Sequence, residues 1–410
     1  MLATPTEAKG PPDPVRFATF NASLNRASAG LALSDLSVPY SPAESNATVR
    51  LRRAQAANVA ETIQRVRPEV LLINEFDFEP GNALAIQFQN NYLSVSQNGA
   101  TPITYPYVFV APSNTGVPSG RDLNNNGSVG GPDDALGFGF FAGQFGMAVF
   151  SQHPIAYDEV RTFREFLWKD MPGALLPDDP ATNAPADWYD TGDLALLPLS
   201  SKSHWDVPID IGGTEVHFLV SHPTPPVFDG AEDRNGRRNH DEIRLWADYI
   251  TPGAGDYLYD DAGGTGGLHP GAKFVIAGDQ NSDPLDGDSI PGSIQQLLNS
   301  PQVNTGLTPA SAGAAQQAGL QGGANAGHRG DPRFDTADFA DSAPGNLRVD
   351  YVLPSRNLRI VDGAVFWPLA SDPLFRLVGV FTSSLPGGFP SSDHRLVWID
   401  VMVPGSVRRN

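Results

Sequence analysis

The stretch "FVIAGDQNSDPLDGDS", residues 274–289, starts as a buried strand and ends in acid. Phe274 to Ala277 is apolar without a break, as a strand covered on both faces must be. Gly278 then leads at once to Asp279, Asn281, Asp283, Asp286 and Asp288. A core strand that stops on carboxylates either aims polar groups from its end into a cleft or runs out into a solvated turn. The same design recurs upstream. "VRFATFNASLN" (15–25) is a β-rich run ending near Asn21, and "VLLINEFD" (70–77) runs apolar up to Glu75. Between them, Val49, Ala56, Val59, Ala60, Ile63 and Val66 recur at helical spacing until Pro68. Strand, helix, strand is the opening of an α/β sheet.

The remaining chain reads as more strands joined by long loops. "GMAVFSQHPI" (146–155) is a strand, and "SHWDVPIDIGGTEVHFLVSHPTPP" (203–226) is a hairpin turning on Gly212-Gly213. "NHDEIRLWADYI" (239–250) is a helix with Ile243, Trp246, Ala247 and Ile250 inward. The run 163–190 is an irregular excursion, and the Ala/Gly/Gln-rich segment 300–327 reads as a surface loop. "LRVDYVLPS" (347–355), "LRIVDGAVFWP" (358–368) and "HRLVWIDVMV" (394–403) close the chain as strands. No linker or repeat divides it, so residues 15–404 are expected to form a single domain behind a disordered leader, residues 1–14.

Composition narrows the function classes. Of 410 residues 40% are hydrophobic, enough for a large core, and 42 Gly and 37 Pro suit strands with ordered loops. The formal net charge is −19 and no basic run resembles a nucleic-acid arm. Cysteine is absent, which excludes disulfides, thiolate zinc sites and cysteine nucleophiles. No apolar run is long enough to span a bilayer. The leader looks like what remains after a secretion signal is removed, so a secreted or periplasmic location is expected. A monomer is expected.

Polar clusters sit at the ends of apolar strands: Asn21, Glu75, Ser221-His222, Asp279 with Asn281, and Ser392-Asp393-His394 just before a strand. Asp350 lies inside "RVDYVL". Carboxylates with an amide suit a hard divalent cation that prefers oxygen. An Asp-His pair suits a general base, because the carboxylate fixes the imidazole tautomer and supports the imidazolium. Cation, oriented base and amide donors together suit attack of water on phosphorus.

In order, "TFNASLN", "INEFD", "SHPTPP", "AGDQNSD", "RVDYVLPS" and "SSDH" resemble the motifs of the endonuclease/exonuclease/phosphatase superfamily, the deoxyribonuclease I-like phosphoesterases. The resemblance runs from 15 to 400. It implies a four-layer α/β/β/α sandwich of two packed mixed β-sheets flanked by helices, with the active site at one end. It implies Glu75 as the main metal ligand with Asn21 beside it and Asp393 near, for a catalytic Mg or Mn ion. His394 would be the base, oriented by Asp350. Asp279 and Asn281 would orient the nucleophile and bind the scissile phosphate, and His222 would contact the phosphate or assist the leaving group. Gln280 departs from the family pattern, where Phe, Leu or Met is usual.

Two further segments carry expectations. In "DLNNNGSVGGPD" (122–133), Asp122, Asn124, Asn126 and Asp133 fall at calcium-loop spacing, with Gly127 at the sharp turn. The alternatives are a structural calcium or a merely polar loop. In "DGAEDRNGRRNHDE" (229–242), Arg237 and Arg238 are candidates to grip a phosphate, against a solvated loop whose arginines pair with nearby acids. His204 and Trp205 are candidates for the cleft mouth or for packing. The substrate expected is a small phosphorylated molecule cleaved as a mono- or diester, since no basic stripe with interleaved aromatics is present. The alternatives are an extracellular endonuclease acting on nucleic acid and a non-catalytic module that binds a phosphate ligand. The one aromatic-rich candidate for membrane entry, "GFGFFAGQFGM" (137–147), leads straight into a strand, which disfavours a sphingomyelinase.

Overall fold

A computed structural model describes residues 13–406. Most of the expected leader therefore lies outside the described residues. The strands in chain order are β1 (Val15–Asn21), β2 (Val70–Asn74), β3 (Tyr107–Phe109), β4 (Met147–Ser151), β5 (Arg161–Thr162), β6 (His204–Ile211), β7 (Thr214–Ser221), β8 (Phe274–Asp279), β9 (Ala337–Asp338), β10 (Asn346–Leu347), β11 (Asp350–Pro354), β12 (Arg359–Val365) and β13 (Val397–Met402). They form a six-stranded sheet, β12-β13-β1-β2-β4-β3, a five-stranded sheet, β11-β8-β7-β6-β5, and the small pair β10-β9.

Each large sheet has one parallel pair among antiparallel neighbours, β1 with β2 and β7 with β8. Each parallel pair is joined by a crossover containing the sheet's long helix, Ala47–Val66 in the first and Arg234–Tyr249 in the second. Parallel strands need such a crossover, and its helix covers the sheet's outer face. Strand alternation then sorts the side chains. Phe17, Leu72, Val149, Phe218, Val275 and Val352 pack between the sheets. Ala18, Leu71 and Ile73 pack outward with Val59 and Ile63, while Leu219, Ile276 and Tyr351 pack outward with Ile243 and Trp246. With both faces covered, the central strands read as continuous apolar runs. The result is the expected sandwich of two mixed sheets flanked by helices.

Local chemistry sets the boundaries. Asn46 caps the first long helix by accepting the Thr48 and Val49 amides, and Arg67 ends it in the left-handed region at φ 57°. Gly212 and Gly213, at φ 60° and 89°, make the β6–β7 hairpin turn. Gly278 permits the close approach of β8 to β7, because a Cβ there would lie 2.0 Å from the Ser221 carbonyl oxygen.

Several expectations are corrected. The helix expected at 239–250 begins earlier, at Arg234. The segment 300–327 is not all loop. Ala312–Gln321 is a helix capped by Ser311, packed so tightly that a Cβ on Gly313 would meet the Trp367 carbonyl oxygen at 2.0 Å. Its alanine content already favours helix, and the packing partner is distant in sequence. The excursion 163–190 is largely a cover. Phe163, Phe166, Trp168 and Met171 are buried against the outer face of the second sheet.

Candidate active site

The alternation that places Phe17 and Val275 between the sheets also places Asn21, Asn74, Asp279 and Asp350 on that inter-sheet face, at the ends of β1, β2, β8 and β11. Asn21 is the register partner of Asn74, and Asp350 of Asp279. Asn74 ties the two sheets together. Its side-chain Oδ1 accepts the Asp279 backbone amide at 3.2 Å, and its Nδ2 donates to the Ser221 carbonyl at 3.4 Å.

Glu75 follows β2 in the left-handed region, at φ 57°. Strict alternation would turn it outward. The reversal of the backbone instead brings its carboxylate back to the cleft, where Asn21 Nδ2 donates to Glu75 Oε1 at 3.2 Å and to Asp279 Oδ2 at 3.0 Å. Asn281 repeats the device at φ 50°. Its amide nitrogen donates to Asp279 Oδ1 at 2.8 Å and its side chain donates to the Pro223 carbonyl at 3.0 Å.

His394 joins from the opposite side. Its Nδ1 lies 2.9 Å from Asp350 Oδ2 and its Nε2 lies 3.6 Å from Asp279 Oδ2. Thr336 holds Asp350 by donating to the same Oδ2 at 2.9 Å. Ser392 Oγ donates to the Asn21 carbonyl at 2.7 Å and accepts the His394 amide at 3.0 Å, so the Ser392–His394 turn is fixed to the end of β1. Ser23 Oγ reaches Asp393 Oδ1 at 3.2 Å. His222 Nε2 lies 3.4 Å from Asp279 Oδ2, and its Nδ1 is buried with no hydrogen-bond partner.

The electrostatics follow from burial. Burial and then Asp393 push the Glu75 carboxyl up to about 7. Burial would also raise Asp279, but His394, His222 and Asn21 together hold it well below the usual carboxylate range. Burial alone would lower His394, yet the Asp350 and Asp279 carboxylates raise it well above an ordinary histidine. Burial, and then the Lys202 charge, push His222 down to about 4, so it is neutral at neutral pH. The Glu75 and Asp393 carboxylates, one destabilised by burial beside the other, fit a divalent cation, and Asn21 would join them through its Oδ1, which here accepts the Ser23 amide at 3.3 Å. Among the described residues, Asp279, Asp350 and His394 also form a close group of potential ligand atoms.

All eight residues expected at the catalytic and metal positions converge on this end of the sandwich. The two arginines expected at the phosphate do not act as expected. Arg237 points away, donating to Asp178 Oδ2 at 3.0 Å and to the Leu176 carbonyl at 3.1 Å. Arg238 does reach the wall of the adjoining cavity, but its donors are engaged by the carbonyls of Leu199, Leu136 and Pro198 at 2.7–2.8 Å. Both were expected in a loop ahead of a helix at 239–250; because the helix begins at Arg234, both lie on it and its geometry sends them to different partners. His204 is fully buried, bonded to Ser200 and to the Glu242 carbonyl, and Trp205 is core against Phe109. Gln280, the departure from the motif, is buried and donates to Ser221 Oγ at 3.2 Å.

Sequence reasoning missed Lys202. It is 7% exposed, lies on the cavity wall with Glu75 and His222, and reaches only the Pro223 carbonyl, at 3.4 Å. Burial lowers its proton affinity, while Glu242, Asp279 and Glu75 oppose that. Its only signal was a lone lysine just before a strand in a chain poor in lysine. In the loop 122–133, Asp122 accepts the Asn126 and Gly127 amides at 3.0 and 2.8 Å. The neighbouring Asp134, buried, accepts the Leu123 and Gly130 amides at 2.8 and 2.7 Å, whereas Asp133 turns to the cavity mouth.

A two-sheet sandwich with buried carboxylates, amides and an Asp-His pair at one end is the architecture of a hydrolytic phosphoesterase. The chain belongs to the endonuclease/exonuclease/phosphatase family, whose model matches residues 18–394. Members of this family are divalent-cation-dependent hydrolases of phosphoester bonds. A search of curated proteins by sequence found no match. Among solved structures, the chain is similar to an endonuclease/exonuclease/phosphatase from Beutenbergia cavernae, with 15% identity and a TM-score of 0.48 over 96% of this chain and 73% of that one. It is also similar to sphingomyelinase C from Streptomyces griseocarneus, with 12% identity and a TM-score of 0.44 over 94% and 99%. No helix among the described residues is long and apolar enough to cross a membrane.

Proposed function

We propose that the protein hydrolyses small phosphate esters, with His394 as general base, Asp350 as its orienting partner, and a Mg or Mn ion held by Glu75, Asn21 and Asp393. The observation that carries this reading is one histidine between two carboxylates, Asp350 at Nδ1 and Asp279 at Nε2. Asp350 accepts the Nδ1 proton and so leaves Nε2 facing the centre of the site. The carboxylates that stabilise the imidazolium also favour it in the cation-free protein, and a cation bound beside Asp279 would oppose them and leave Nε2 free to take a proton from water. Asp279, kept ionised, aligns that water, and Asn281 meets the phosphoryl group. His222, neutral, offers an unpartnered ring nitrogen to the substrate. The Lys202 ammonium faces the developing charge on a non-bridging oxygen. The cation, when bound, supplies Lewis-acid polarisation of the phosphoryl oxygen.

The preference for small substrates rests on charge and shape. The arginines nearest the site are engaged by protein groups, so little is left to neutralise a polynucleotide. Binding that displaces many counterions falls steeply with salt, whereas one phosphate at one centre responds weakly. Hydrolysis of small esters should therefore change only about a few-fold between low and physiological salt. Plasmid DNA should be cut far less efficiently under the same conditions. Rapid, salt-sensitive plasmid degradation without small-ester turnover would replace this reading with an endonuclease.

A further inference from the structure

Beside the site lies a cavity of about 480 Å³ whose floor and walls differ in character. Glu75, Lys202, His222 and Thr224 supply the polar part of its lining. Two of them carry buried polar atoms without a hydrogen-bond partner, His222 Nδ1 and Thr224 Oγ1. Such atoms are costly in a folded protein unless something meets them. Leu123, Phe138, Phe145, Tyr189, Leu197 and Phe228 supply carbon.

The other polar side chains in the wall, the Tyr189 hydroxyl apart, are already engaged, Asn235 by the Val227 carbonyl at 2.7 Å. Arg238 donates to three backbone carbonyls, Arg234 pairs with Glu232, and Ser201 donates to Glu242. An apolar occupant would therefore strand none of their hydrogen bonds. Asp133 is exposed at the rim, where water can solvate it. The volume falls within the range of small-molecule pockets, apolar in the main with a few convergent polar groups. On the other side of Glu75, a second cleft runs past Ser23, Asn25, Arg26 and Asp393 on one wall and Phe140, Phe145 and Pro386 on the other.

We propose that the substrate is a phosphate ester bearing a compact apolar group, with its phosphoryl end at Glu75, Lys202, His222 and Thr224 and its organic group in the cavity. This rests on the phosphoesterase reading above and names the substrate class of that site. The occupant is a single small molecule. Leu123 and Leu197, 4% and 1% exposed, form fixed carbon walls, whereas Phe228, 86% exposed, stands at the open end.

The test is a series of straight-chain alkyl phosphates, methyl to hexyl, whose leaving alcohols differ little in acidity from ethyl upward. Each buried methylene should raise kcat/KM about fourfold, giving on the order of a hundredfold across the series once imperfect burial is allowed for. Val227→Trp, which narrows the cavity at a half-buried loop position, should cut the hexyl-to-methyl ratio at least about tenfold. Ala135→Leu is the second filling variant, with the melting transition checked for both. In parallel, calorimetry with methyl- and hexylphosphonate reads binding without turnover. Tighter hexyl binding with a more negative heat-capacity change supports the cavity assignment. A flat ester series, or equal binding of the two phosphonates, overturns it. If no ester is hydrolysed, the phosphoesterase reading falls, and the phosphonate pair still decides the cavity by itself.

Discussion

Asp350 and Asp279 face each other as register partners on adjacent antiparallel strands, and the two carboxylates flank the ring nitrogens of one histidine, His394. They behave oppositely. Burial raises the Asp350 carboxyl to about 6, although His394 opposes the rise. Asp279, with two imidazoles and the Asn21 amide on it, is held low. The pair therefore separates into a partner that grips Nδ1 and an anion that faces the substrate side.

That geometry predicts coupled losses. His394→Ala should lower kcat by about three powers of ten or more with the melting transition preserved, and Asp350→Asn by about two to three. The double variant should lose little more than His394→Ala alone, because Asp350 acts through the ring. Additive losses in single-turnover assays would show that Asp350 works independently.

Glu75→Gln keeps the shape and removes the charge. The cation concentration for half-maximal activity should rise at least about tenfold, and the cation-induced rise in melting temperature should shrink at a fixed concentration. Titrations of activity and of melting temperature check the two readouts separately. Unchanged curves would move the principal ligand elsewhere.

Lys202→Met retains the length of the side chain and removes a buried charge. Turnover should fall about a hundredfold while thermal stability holds or rises, since the desolvation of the ammonium is relieved. A folded variant with wild-type kcat would assign Lys202 a purely structural place.

Asp335 offers a pH test away from the site. Burial, and then Asp283, Asp286 and Asp331, push its carboxyl up to about 8. Unfolded, it titrates near 3.9. Between these values the folded protein binds the extra proton, so this group's contribution falls as pH rises through the window. Asp335→Asn should therefore gain stability relative to the wild type between pH 4 and 8, with the gain complete above about 8. Denaturant unfolding across this range measures it, and a gain confined to acid would contradict the sign.

The loop from Asp122 is proposed as a structural calcium site without the expected closing ligand Asp133, which turns to the cavity mouth. Asp122 already organises its turn by accepting the Asn126 and Gly127 amides. Calcium should raise the melting temperature by a few degrees. Asp122→Ala should remove that rise and leave the catalytic cation requirement intact. A rise that survives the substitution would place the ion elsewhere.

Much of this protein was legible in local pattern. Unbroken apolar runs at Val70–Ile73 and Phe274–Ala277 identify strands covered on both faces, and polar residues at their ends mark where a cleft opens. Six short motifs in order named the family, and with it the His394–Asp350 pairing. The helix Ala312–Gln321 was hidden because its packing partner, Trp367, is far along the chain.

What the sequence determined by itself is which residue types stand at the ends of which strands, because strand alternation is a property of neighbouring residues. Tertiary structure decided where the other donors and charges went. Arg237 and Arg238 are adjacent, yet one turns to Asp178 and the other is engaged by carbonyls from two distant loops. Lys202 became part of the site only because the buried Glu242, 40 positions on, accepts the backbone amides of both Ser201 and Thr224 and so anchors the two loops that flank it. Hydrogen-bond donors find acceptors through space, and a local pattern carries no record of which distant carbonyl will reach them first.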